Sequence, residues 1–116
     1  MNSKPIDPNV RIGHVHLKVS DLDRALRFYR DVLGFEIMQR HGNEVAFVSA
    51  GGYHHHIGAN TWASRGASPP PPGSAALRHA TLVLPDERER DELLARLGAD
   101  EPLVHDPSGN ALLLTA

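Results

Sequence analysis

Gly13-His14-Val15-His16-Leu17-Lys18-Val19-Ser20-Asp21 is echoed further along the chain by Arg78-His79-Ala80-Thr81-Leu82-Val83-Leu84-Pro85-Asp86. In both stretches a short alternating run carries a histidine near its start. A capping residue follows, and then a charged segment bearing leucines. Self-similarity of this kind is the mark of a small module used twice, the two copies facing each other. His14 and His79 then occupy matched positions and can turn toward a shared centre.

Arg11 to Val19 predicts a strand. Val15, Leu17 and Val19 point one way, and His14, His16 and Lys18 the other. Ser20 is the expected N-cap of a helix, with Asp23 three residues on. Leu22, Ala25, Leu26, Tyr29, Val32 and Leu33 keep helical spacing up to Gly34. Phe35 to Arg40 predicts a second strand, His41-Gly42-Asn43 a turn, Glu44 to Ala50 a third strand and Gly51-Gly52 another turn. Tyr53 to Thr61 predicts a fourth strand, with a bulge expected at Gly58. The first module, 11–62, therefore reads β-α-β-β-β.

Residues 65–75, with four consecutive prolines, read as a stiff extended linker. The second module, 76–116, opens with a strand at Ala76 to Leu84. Asp86 and Glu89 predict a capping box for a second helix. Only Leu93, Leu94 and Leu97 of that helix can dock, and Gly98 ends it. Glu101 to His105 predicts a short strand, Asp106 to Asn110 a turn, and Ala111 to Thr115 the last strand. If Leu113 is the repeat equivalent of His56, the span from His79 to Leu113 falls short of that from His14 to His56 by about one strand of typical length. The second module thus reads β-α-β-β. The expected fold is α+β: one domain of two paired modules, the sheets forming a U with helices outside.

The chain has 116 residues, enough for one such domain. Apolar residues make up 41% and charged residues 22%, in the range of ordinary globular proteins. The net charge of −2 is spread along the chain, which gives no footprint for nucleic acid. With no cysteine, disulfides and thiolate metal sites are excluded. The polar N-terminus lacks a signal-peptide core, and no stretch is long enough to cross a bilayer. A cytoplasmic protein without membrane contact is expected.

Eight histidines are the compositional anomaly. Alternation puts His14 with His16 on one strand face, and His54 with His56 on another, leaving His55 reversed. Divalent metals in catalytic sites take about three protein ligands and keep a position open. His14, His56 and His79 can supply such a set from three strands. A lone strand histidine is, however, more often a polar surface residue than a ligand, and the matched pair is what favours ligation. The run His54-His55-His56 is internal and flanked by Tyr53 and Ile57, unlike a purification tag. Tyr53 and His105 are acid/base candidates, Trp62 a pocket-rim or edge-packing residue, Phe28 and Tyr29 core, and Asp106 to Asn110 a plain turn.

The chain resembles the vicinal oxygen chelate superfamily, which includes glyoxalase I, extradiol dioxygenases and bleomycin-resistance proteins. The resemblance runs from Ile12 to Leu114. It rests on Gly13 to Val19, on the helix Leu22 to Tyr29 ending in Val32-Leu33-Gly34-Phe35, and on Asp106 to Asn110. Gly51 to Trp62, Gly-Gly-Tyr-His-His-His-Ile-Gly-Ala-Asn-Thr-Trp, resembles the catechol-dioxygenase-like branch. The resemblance implies a divalent metal, Fe(II), Mn(II), Zn(II) or Ni(II), held by His14, His56 and His79. A small substrate would chelate it through adjacent oxygens, with His16 and His54 beside it as acid/base groups. The family's fourth ligand, a glutamate, falls at Leu113, which cannot bind metal. That departure and the shortened module keep a second reading open, a metal-free small-molecule binder resembling bleomycin-resistance proteins. Homodimers are expected in either case.

Overall fold

The computed structural model describes residues 5–9 and 14–116, so the start of the first expected strand, 11–13, lies outside the described residues. The element order is β1 (Val15–Lys18), α1 (Leu22–Leu26), a π-helical stretch (Arg27–Val32), β2 (Glu36–His41), β3 (Val45–Ser49), β4 (Ile57–Asn60), β5 (Ala80–Val83), α2 (Glu87–Leu97), β6 (Leu103–His105) and β7 (Ala111–Thr115). Both module patterns are as expected, and the linker between them carries no regular element.

The strands form two sheets. Module one makes a four-stranded sheet in the order β1-β4-β3-β2, module two a three-stranded one in the order β5-β7-β6. In each, the first strand runs parallel to the last, as β1 to β4 and β5 to β7. The strand missing from module two is the counterpart of β2. Both sheets share one core, in which Leu17, Val19, Ala46, Val48 and Ile57 meet Leu22, Ala25, Leu26 and Tyr29, and also Leu93, Val104, Leu112 and Leu114. The apolar face of β1 thus packs inward and leaves its polar face outward.

Several local expectations need correction. The N-cap of α1 is Asp21, whose carboxylate accepts from the Arg24 N–H at 3.0 Å. Ser20 is drawn instead toward Ser108, whose Oγ accepts the Ser20 N–H at 2.9 Å. The single helix expected to run to Leu33 widens at Arg27. There Leu33 N–H donates to the Phe28 carbonyl, an i to i−5 bond. Before α2, Asp86 accepts from Glu89 N–H, but the Glu89 carboxylate pairs with Arg88, so the capping box is half made. His41 closes β2 rather than sitting in the turn. Strand β4 begins only at Ile57, and Gly58 is a regular ladder residue, paired with His16 and Phe47, not a bulge.

The turn at Asp106–Asn110 is more than a connection. Asp106, 5% exposed, accepts from Tyr29 Oη at 2.7 Å, from the Ser108 and Asn110 N–H groups and from Asn110 Nδ2. Asn110 Nδ2 also donates to the Lys18 carbonyl at 2.8 Å. These bonds fasten module two to the first strand and helix of module one.

Candidate functional site

Paired residues on neighbouring strands point to the same side of a sheet. Residues His16 of β1, Gly58 of β4 and Phe47 of β3 are in register, so they line one row across the outer face of the four-stranded sheet, meaning the face opposite the one packed on α1. Gly58 is needed there for space: a Cβ on it would lie 2.8 Å from His16 Nδ1 and 3.3 Å from Phe47 Cδ1. The His16 ring therefore lies down on bare backbone. It stacks on Trp62, with centroids 5.7 Å apart and planes inclined by 23°, and meets Phe47 edge-on at 6.0 Å.

The histidine run does not follow strand alternation, because it precedes β4. His55, expected on the reverse side, is the one that joins the outer face. Its ring lies 4.2 Å from that of His14 and 4.8 Å from Phe47. His54 lies beside it, the two Nδ1 atoms 3.0 Å apart, and 6.1 Å from the His14 ring. His56 turns away. Its Nδ1 accepts from the Ala50 N–H at 3.2 Å and lies 3.3 Å from Ser49 Oγ, with Tyr53 and Phe35 against the ring. The His56 backbone nevertheless joins the sheet, bonded to Val48 and Val15.

His79 stands half-buried just before β5, the first strand of the other sheet. Among the described residues, no three His, Cys, Asp or Glu side chains form a group that could hold a metal ion. His14, His56 and His79 are accordingly not gathered around one point. The sheet registers also shift the internal equivalence. Val15 pairs with Ile57 and Ala80 with Leu112, so the register counterpart of His56 is Ala111, and that of Gly58 is Leu113. Leu113 sits opposite Thr81 and Leu103. His105 is exposed in β6, away from the histidine face.

Two imidazoles are held below the usual histidine range. For His16 burial is the larger cause and His14 the smaller. For His55 burial again leads, followed by repulsion from His14, His54, His16 and His56. Both are neutral at pH 7, so each keeps a nitrogen lone pair that can accept a proton or a hydrogen bond. His16 also borders a cleft of about 440 Å³ that runs along the edge of β1 between the linker and the 106–110 turn. Lys18, Ser20, Ser64, Ser108 and Asn110 contribute its polar lining.

Phe47, His55 and Gly58 were not singled out as site residues by the sequence. Phe47 and Gly58 follow from pairing β3 and β4 around His16. His55 does not, because its direction is set by ring contacts in a bend.

Comparison with known proteins places these features in context. Residues 11–112 match the family model described as the glyoxalase/bleomycin resistance protein/dioxygenase superfamily. A catechol-2,3-dioxygenase from Bacillus subtilis (strain 168) is 53% identical over 87 residues, 74% of this chain and 30% of that protein. A mitochondrial methylmalonyl-CoA epimerase from Mus musculus is 41% identical over 54 residues, 42% of this chain and 30% of that protein. The chain thus spans about a third of the length of these curated relatives. The crystal structure of a lactoylglutathione lyase from Agrobacterium tumefaciens superposes with a TM-score of 0.64 at 22% identity, covering 93% of this chain and 94% of that one, a likeness of fold. With the repeated module, the paired sheets and the match over 11–112, the chain belongs to the glyoxalase/bleomycin resistance protein/dioxygenase superfamily.

Proposed function

We propose that the chain is a glyoxalase- or dioxygenase-like enzyme module whose histidine face seats a small substrate with adjacent oxygens. The observation that carries this is the gathering of His14, His16, His54 and His55 with Phe47 and Trp62 on one side of one sheet. Flat rings offer stacking surface to an aromatic ligand, and neutral imidazoles offer hydrogen bonds to its oxygens. The similarity to a protein named catechol-2,3-dioxygenase supports an aromatic diol as the substrate class. His16 and His54 are the groups assigned to proton transfer. A divalent metal on His14, His56 and His79 is the family-based part of the proposal. These three residues do not fit a metal as they stand in one chain, and no reaction step is drawn through it. The same observation, with Leu113, favours a second reading, metal-free binding of the ligand. Two copies are proposed to associate, since the sheet of module two stops at β6 with no counterpart of β2. The cytoplasm is the compartment assigned.

Thermal unfolding with catechol as probe separates these readings. Catechol is expected to raise Tm, and His16→Ala to remove most of that rise. A rise abolished by EDTA and restored by Fe(II) supports the metal-dependent enzyme. A rise that survives EDTA supports the binder. No rise in either condition overturns the assignment of this face as a ligand site.

A further inference from the structure

The histidines that the chain does bring together lie within module one. His54 Nδ1 and His55 Nδ1 are 3.0 Å apart. In that contact one nitrogen carries the proton and the other supplies the lone pair. The same spacing has a second meaning. Two nitrogens bound to one metal at about 2.0–2.1 Å lie about 2.9 Å apart when the bonds meet at a right angle, and about 3.4 Å apart in a tetrahedron. The observed separation therefore matches right-angle ligation. Replacing the shared proton by a cation requires each ring to turn about its Cβ–Cγ bond, a broad torsion for histidine.

The surroundings suit that exchange. His54 is exposed and His55 half-buried, so one side of the pair is open to solvent. His14 flanks the ring of His55, centroids 4.2 Å apart, as does Phe47 at 4.8 Å. Tyr53 does the same for His54 at 4.1 Å.

We propose that His54 and His55 form a two-imidazole chelate for a divalent cation that favours right-angle nitrogen ligation, copper(II) or nickel(II), with the remaining positions open to water or to an oxygen ligand. Two protein ligands are consistent with the lack of any preformed group of three among the described residues. This site does not depend on the ligand set named under the proposed function.

The test is equilibrium dialysis of untagged protein against nickel(II) alone, with bound metal counted per chain. One equivalent is expected. His54→Ala and His55→Ala should each weaken binding by about a hundredfold, because the second nitrogen of a linked pair acts at high effective concentration. His41→Ala, at a histidine of β2 outside both proposed ligand sets, should leave it unchanged. Copper(II) loaded in place of nickel should show two coupled imidazole nitrogens by electron paramagnetic resonance. Far less than one equivalent, retention in His54→Ala, or loss in His41→Ala overturns the assignment. Catechol binding can fail while nickel remains on His54 and His55, and the reverse, so the two proposals stand or fall separately.

Discussion

At the scale of single residues, Gly58 and Tyr29 show how much depends on one atom. The absence of a Cβ at Gly58 lets the His16 ring lie flat between the sheet and Trp62. Gly58→Ala should cost about 1–3 kcal/mol, since His16 is exposed and can swing aside but Phe47 must also give way. The displaced imidazole leaves the indole, and Trp62 is the chain's single tryptophan. A changed emission spectrum with a modest fall in Tm is the expected result, and an unchanged spectrum would refute the stacking. Tyr29, 1% exposed, reports on the join between modules. Burial, and then the Asp106 carboxylate beside it, push its hydroxyl pKa up. In the unfolded chain a phenol ionises near pH 10, while in the fold Tyr29 stays protonated. The stability it contributes is therefore whole below about pH 10 and is lost as pH rises beyond that. Tyr29→Phe should cost about 1–2 kcal/mol at pH 7 and flatten the alkaline decline in Tm relative to the parent. Alternation in β1 was enough to read His16 as outward-facing. It could not orient His55, whose bend is set by contacts with residues distant in sequence.

At the scale of elements, hydrophobic patterning and turn residues located the strands and both helices; β1 and β7 alternate in burial, while β3 and β4 are apolar on both faces and β2 is largely exposed. What it missed lies where side chains compete with the ladder. Tyr53 to His55 read as strand but stay outside the ladder, and His56 joins it only through its backbone, its ring packed on Tyr53 and bonded back to Ala50. The helix after Asp21 reads as uniform, yet it widens to π geometry where Tyr29 reaches for Asp106. The turn at Asp106 to Asn110 has turn composition, and nothing local in it reveals four donors converging on one carboxylate. Asp106→Ala leaves the buried Tyr29 hydroxyl and the turn N–H groups without their acceptor. A loss of about 3–5 kcal/mol is expected, which would unfold much of a domain this small. Chemical denaturation measures it. A loss below about 1 kcal/mol would show that the turn does not hold the modules together.

At the scale of the molecule, the matched histidines foretold the two modules, while among the described residues no three His, Cys, Asp or Glu side chains gather as a metal-holding group. The repeat is visible in the sequence because each copy has the same local pattern. How the copies sit is decided by the common core, which gathers residues of both sheets. The core also makes the linker dispensable as a tether. Limited proteolysis within 65–75 should give two fragments that co-elute on size exclusion, held by Leu112 and Leu114 against module one and by the Asp106 bonds. Separation of the fragments would show that the modules are not one cooperative unit.

The bonds from Asp106, Ser108 and Asn110 to module one all leave from the turn between β6 and β7. The missing strand would have stood beyond β6, at the far margin of its sheet. Material can therefore be removed from, or added to, that margin without loosening the grip on β1. The segment from Asp100 to Pro102 is the natural insertion point of this fold, where a grafted hairpin could extend the smaller sheet while the histidine face on the other module keeps its shape.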